Sequence, residues 1–138
     1  MPTLKGGSVL INKETKKVAL IYRPSLNDYS FAKGHMEEGE TVKDCAIRET
    51  IEETGRAVKL LKDDPIYINK YQTPSGGDVE VYLYLALDCG EFEGEIAEKD
   101  RELCEWYNID EIAEKLTYDN NKEMWKEIEH IVQEALND

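Results

Sequence analysis

A mixed α/β fold, one sheet with helices packed against it, is the architecture this sequence predicts. Three observations carry that reading. Strand-sized apolar runs occupy the first part of the chain and recur in its middle. A helical pattern separates them and a second one closes the chain. With 138 residues, 41% of them apolar, there is material for one packed core and little room for two, so residues 1–138 are read as one domain.

Ser8-Val9-Leu10-Ile11 and Lys17 to Tyr22 flank the polar stretch Asn12 to Lys16, the pattern of a hairpin with a five-residue loop. Pro24 to Asp28 reads as a loop, and Tyr29 to Ala32 as a short strand before Lys33-Gly34. Glu40 to Thr54 has helical spacing, with Gly55 as its stop. Ile66 to Tyr71 and Val79 to Leu87 read as strands joined by the turn-rich Pro74-Ser75-Gly76-Gly77-Asp78. In the second of these, Val79, Val81, Leu83, Leu85 and Leu87 share one face, and Tyr82, Tyr84 and Ala86 the other. Two apolar faces predict a central strand. Gly90 to Arg101 reads as a polar loop. A short strand near Cys104 to Tyr107 carries Trp106, assigned to the core. Ile109 to Leu116 reads as a short helix with Asp110 at its cap, and Asn121 to Leu136 as a longer one. Met124, Trp125, Ile128, Ile131, Val132, Ala135 and Leu136 give the last helix an apolar stripe for the core.

The net charge of −13 disfavours long nucleic acids and anionic membranes, because both are bound through Lys and Arg. A small anionic substrate is still compatible, since a divalent cation reverses the local field. The longest apolar run, Val79 to Leu87, is strand-sized and contains Glu80, so no membrane span is expected. Cys45, Cys89 and Cys104 form no CxxC pair and read as reduced thiols of a cytoplasmic protein.

The chemistry concentrates between Gly34 and Gly55. On a helix, Glu49, Glu52 and Glu53 stand at i, i+3 and i+4 and share one face, while Ala46, Ile47, Thr50, Ile51 and Thr54 form another arc suited to packing on a sheet. Three clustered carboxylates repel, each like-charge pair costing about 0.2–0.5 kcal/mol. Arg48 and Lys43 offset part of this, and a hard divalent cation, magnesium with manganese as substitute, would offset more. A solvated acidic helix is the plain alternative for a bare ExxEE. Here the glycines and the arginine add fixed distances.

That stretch resembles the Nudix box, G-x5-E-x7-R-E-U-x-E-E-x-G-U with U a bulky aliphatic residue. Gly34, Glu40, Arg48, Glu49, Glu52, Glu53 and Gly55 match every fixed letter, whereas Thr50 and Arg56 stand at the two U positions. The resemblance implies an α/β/α sandwich with a mixed sheet between helices. It also implies magnesium-dependent hydrolysis of a phosphoanhydride bond in a nucleoside diphosphate-linked compound. Glu52, Glu53 and the Gly34 carbonyl would be metal ligands. Glu49 would be a ligand or the base that activates water, and Glu40 would ligate or hydrogen-bond through water. Arg48 would orient a glutamate. A further acid from a later loop would be Glu98, Asp100 or Glu102.

Lys33-Gly34-His35 and Arg48-Glu49-Thr50 are similar to the corresponding residues of diadenosine polyphosphate hydrolases, which makes a dinucleoside polyphosphate the leading substrate. Oxidised nucleoside triphosphates, nucleotide sugars and a non-catalytic ligand sensor are the alternatives. Lys33 and Arg23 are candidates for phosphate contact. Tyr82 and Tyr84 are candidates for base stacking or for the core, and His35 reads as a loop residue.

Overall fold

The computed structural model describes residues 1–96 and 103–138. Its centre is β1 (Thr3–Asn12), which pairs in parallel with β7 (Asp78–Glu91) from Thr3↔Val79 to Ile11↔Leu87. The other edge of β1 is shared. Its end pairs with β2 (Lys17–Arg23) as the expected hairpin, Ile11↔Val18, and its start pairs with β4 (Ala32–His35), Lys5↔His35 to Ser8↔Ala32. Beyond β2 lie β3 (Asp28–Ser30) and β8 (Leu103–Asn108). Beyond β7 lie β5 (Arg56–Leu60) and β6 (Tyr67–Gln72). The sheet is mixed and β7 is central, as its two apolar faces predict.

Helices cover both faces. Val9, Ile11, Val18, Leu20, Leu83 and Leu85 pack beneath α2 (Ile112–Lys115) and α3 (Asp119–Asn137), which contribute Ile112, Trp125, Ile128 and Val132. On the opposite face Leu10, Ala19 and Ala86 form a smaller cluster, with Trp106 packed against it. That face carries α1 (Val42–Thr54). Alternation along each strand divides the two cores.

Several boundaries differ from the sequence reading. The first helix begins at Val42, because the Thr41 side chain accepts the Asp44 N–H and caps it, so Glu40 lies outside. Gly55 ends it in a left-handed conformation, φ 71°. The expected strand from Tyr29 to Ala32 is two strands, and the second runs on through Lys33 and Gly34 to His35, which is therefore a strand residue and not a loop residue. Strand β5 was not expected. Gly90 and Glu91 continue β7 instead of opening a loop. Asn108, not Asp110, precedes the turn into α2, and Glu111 accepts the Asn108 N–H at 2.8 Å. No helix among the described residues is long and apolar enough to cross a membrane.

The sheet-facing arc of α1 also differs. Cys45, Ala46, Glu49 and Thr50 are its buried residues, whereas Ile47 and Ile51 are half-buried beside Phe92 and Ile96. One glutamate of the acidic face is thus turned inward, onto β4. Close approach makes this possible. A Cβ at Gly6 would lie 2.5 Å from the Val42 carbonyl oxygen, so α1 rests directly on the backbone of β1.

Candidate active site

Arg48 organises the acids. Its Nε donates to Glu40 Oε2 at 2.6 Å and its Nη2 to Glu40 Oε1 at 3.0 Å, a two-pronged pair. Nη1 donates to Glu52 Oε1 at 3.0 Å and lies 3.5 Å from Glu49 Oε1, and Nη2 also reaches the His35 carbonyl at 2.9 Å. The bond to Glu40, with the neighbouring carboxylates, drives the Arg48 pKa further up; the same bond holds Glu40 below the usual carboxylate range. Both Glu40 oxygens are engaged by Arg48, and Oε1 also accepts the Glu37 N–H, which ties down the loop before α1. Glu40 is therefore a brace in this arrangement, more than an open donor.

The other acids lie along β4. Glu49, 7% exposed, sits against Gly34; a Cβ there would fall 1.6 Å from Glu49 Oε2 and 2.1 Å from its Cδ. Glu53 Oε1 accepts the backbone N–H of Lys33 at 2.8 Å. The Gly34 carbonyl receives the Cys45 thiol at 3.3 Å. Among the described residues no three His, Cys, Asp or Glu groups stand in a cluster ready to hold a metal, since Arg48 lies between Glu40, Glu49 and Glu52. The donors are nevertheless carboxylate and carbonyl oxygens on rigid elements, with the Glu49 carboxylate seated where a Gly34 side chain would stand. That set fits magnesium or manganese, and lacks the His and Cys ligands typical of zinc. Glu98, Asp100 and Glu102 lie outside the described residues.

The two departures from the box have local explanations. Thr50 is fully buried and donates to the Ala46 carbonyl at 2.6 Å, so the Ser8 hydroxyl, 2.6 Å away, donates to Thr50. A hydroxyl replaces the aliphatic residue because β1 supplies a matching one. Arg56 Nε donates at 2.9 Å to the nearly buried Asp88 on β7, an ion pair between neighbouring strands.

On the α3 face of the sheet, beside this row, is a cavity of about 380 Å³. Lys5, Arg23 and Lys33 line it with Phe31, Tyr71 and Tyr118. Burial lowers the Lys33 and Lys5 pKa values, and the neighbouring cations lower them further. Arg23 is held by Asp28, whose side chain has no exposed surface: Nε donates to Oδ1 at 2.8 Å and Nη2 to Oδ2 at 2.5 Å, while the Tyr118 hydroxyl also donates to Oδ2. Lys33 and Arg23, singled out in the sequence, therefore meet in one cavity.

Tyr82 and Tyr84 do not line it. Val81 and Leu83 do, and alternation along β7 turns the two tyrosines to the α1 face, where Tyr84 is buried and the Tyr82 hydroxyl donates to Glu80. Of the two uses considered for that pair, packing is the one this placement suits. Lys5, Tyr71 and Tyr118 were missed. The one signal for Lys5 was a lysine four positions before the apolar residues that open at Val9, next to two glycines that the strand includes.

A model described as the NUDIX domain matches residues 3–130. A relative called Nudix hydrolase 13, mitochondrial, from Arabidopsis thaliana is 32% identical over 123 residues, which cover 81% of this chain and 59% of that protein. An 8-oxo-(d)GTP phosphatase from Mycolicibacterium smegmatis is 30% identical, covering 80% of this chain and 33% of its own length. The chain thus spans less than two thirds of these curated relatives. Among solved structures, a C. elegans Ap4A hydrolase in a binary complex superimposes with a TM-score of 0.76 at 18% identity, covering 96% of this chain and 98% of that one. A NUDIX hydrolase from Nitrosomonas europaea gives 0.75 at 19% identity, with 94% and 90% covered. These two likenesses show the shared fold, an α/β/α arrangement around a mixed sheet.

Proposed function

The chain belongs to the Nudix family, and from that premise we propose that it hydrolyses a phosphoanhydride bond in a nucleoside diphosphate-linked compound with a divalent cation, magnesium or manganese. One observation carries the reading. Lys33 gives its backbone N–H to Glu53 while it lines the cavity that Lys5 and Arg23 also line. The acid row and a cationic cavity therefore meet at a single residue, as a diphosphate placed between a metal and a nucleotide pocket requires.

The roles follow from position. Glu52, Glu53 and the Gly34 carbonyl are assigned to the cation, with Glu49 beside them as a further ligand or as the acceptor of the water proton. Arg48 keeps the glutamates in register, braced by Glu40. A bound divalent cation supplies neutralisation of the diphosphate and a more acidic water. Lys33, Arg23 and Lys5 hold phosphate oxygens and orient the substrate. The leading substrate class is a dinucleoside polyphosphate, as the name of the C. elegans neighbour suggests. An oxidised nucleoside triphosphate is the second reading, favoured by the name of the M. smegmatis relative. Three free thiols, Cys45, Cys89 and Cys104, suit a cytoplasmic setting.

The test is chromatographic detection of the two phosphorylated products formed from each member of a panel of dinucleoside polyphosphates, oxidised triphosphates and nucleotide sugars, with and without chelator. Glu53→Gln should lower kcat on the order of a hundredfold without loss of melting temperature. Glu37→Gln, at a 65% exposed side chain, should change little. Hydrolysis that survives exhaustive chelation would overturn the metal-dependent reading. Equal small losses in the two variants would reduce the box to a packed helix.

A further inference from the structure

A second hollow borders the acid row, on the α1 side and apart from the cationic cavity. It is a groove of about 310 Å³ between α1 and the chain that follows β7, a size within the range of small-ligand sites. Ile47 and Ile51, on the side of α1 turned from the sheet, line it together with Phe92 and Ile96. Phe92 is fixed in place. Its N–H donates to the Gly55 carbonyl at 3.0 Å, and a Cβ at Gly94 would stand 2.7 Å from the ring, so the backbone there rests on the ring. Arg48 and Glu52 belong to this groove as well as to the acid row. The cavity meets the row at the next residue, Glu53, through Lys33. Groove and cavity therefore stand at the two ends of the row, and a substrate with an organic group on each side of its diphosphate would span them.

The walls of the groove narrow what enters it. Its charged residues are Asp44, Glu52, Glu95 and Arg48, and Arg48 is committed to Glu40, Glu52 and the His35 carbonyl. A rim of three carboxylates repels a phosphate, in contrast to the lysines of the cavity. Four apolar side chains, one of them an aromatic ring, favour a flat uncharged ring over a hydrated sugar. The rim carboxylates accept hydrogen bonds from exocyclic amino groups. A nucleobase that carries an amino group has both properties. We infer that this groove receives the base of a second nucleoside, on the far side of the cleaved diphosphate, so that the preferred substrate carries a base at both ends. This rests on the reading that the acid row cleaves a nucleoside diphosphate-linked compound.

Diadenosine 5′,5″-diphosphate and ADP-ribose make a matched pair for the test. An adenosine, a diphosphate and a second ribose are common to both, and only the dinucleoside has the second base. Their binding is measured by calorimetry in chelator, which prevents cleavage and removes the cation from both measurements alike. The intact protein should bind the dinucleoside on the order of tenfold more tightly, the effect of one base stacked on an aromatic ring. Phe92→Ala and Ile51→Gln should each erase most of that ratio. Ile51→Gln, on the outward side of α1, decides the matter where Phe92→Ala fails to fold. No preference in the intact protein beyond the statistical advantage of a symmetrical ligand, or a preference that survives both substitutions, would overturn the inference. Hydrolysis of the same pair is then followed with magnesium. Preference for the second base with no hydrolysis of either compound would overturn the proposed activity and leave the groove assigned. Hydrolysis of both compounds with no preference would overturn the groove alone.

Discussion

Gly34→Ala adds one methyl group where the structure has no room for it. The new Cβ would stand 1.6 Å from Glu49 Oε2, against the 3.4 Å or more of an ordinary contact, so the carboxylate must retreat by about 1.8 Å. Gly34 has no positive φ, so the backbone adds no strain of its own and the cost falls on Glu49. Overpacking of this kind costs about 1–3 kcal/mol of stability. A displacement near 1 Å at a reacting group can cost on the order of a hundredfold in rate, so the kinetic loss should far exceed the structural one. The assay is kcat on the best substrate of the panel together with the melting temperature of the same preparation. In Gly34→Ala/Glu49→Ala the clash is gone, and the melting temperature should return to that of Glu49→Ala while activity stays lost. A Gly34→Ala protein within about threefold of the parent kcat would show that the Glu49 position does not matter, and would refute the assigned site.

Three further outcomes are expected. Arg48→Ala should lower kcat more than it raises KM and destabilise the chain by about 1.5–3 kcal/mol, because charge-assisted bonds to Glu40 and Glu52 are lost; Arg48→Lys, without the planar fork, should not restore activity, and a change confined to KM would place Arg48 on the substrate instead. Thr50→Val should cost about 1–3 kcal/mol in denaturant melts by orphaning the buried Ser8 hydroxyl, while Ser8→Ala/Thr50→Val should recover much of it; additive losses would contradict the pairing. Asp28, whose bond to Arg23 depresses its folded-state pKa, contributes stability that is present above its unfolded value of about 3.9 and is lost as pH falls through the lower folded value. Acid melts of Asp28→Asn should therefore show a weaker pH dependence below about pH 4 than the parent, and superimposable profiles would exclude that linkage.

The layers of the fold were legible because their signals are periodic. Alternation from Val79 to Leu87 placed β7 at the centre, and the three- and four-residue stripe of α3 placed it over the core. Strand β5 was missed because Arg56-Ala57-Val58-Lys59-Leu60 is short and weakly alternating, and its place depends on β7 and on the Arg56–Asp88 pair. The start of β1 was missed because glycine disfavours strands in isolation, although Gly6 is required where α1 lies on the backbone. In the site, fixed spacings brought out Gly34, Glu40 and the α1 glutamates. That Arg48 would grip Glu40 with two bonds, and that Glu49 would turn inward, depends on how β4 lies beside α1. The cavity was harder still, since Lys5, Asn69, Tyr71 and Asn121 come from β1, β6 and α3 and share no local pattern. Asp28 read as a loop residue, and only β2 and Tyr118 around it make it buried.

The parallel pairing of β1 with β7 has a consequence for synthesis on the ribosome. Thr3 meets Val79 and Ile11 meets Leu87, so each partner lies 76 positions later in the chain. At a translation rate of about 5–20 residues per second, β1 waits roughly 4–15 s for the strand that covers one of its edges. Until then its hairpin with β2 and its pairing with β4 protect only the other edge. The nascent chain therefore exposes Val9, Leu10 and Ile11 while the acids of α1 emerge, and the closing event is late and non-local. Chains stalled before Val79 should be cleaved readily by protease within β1, and chains released at full length, with α3 over Val9 and Ile11, should not; equal protection in both would show that the first half of the molecule closes by itself.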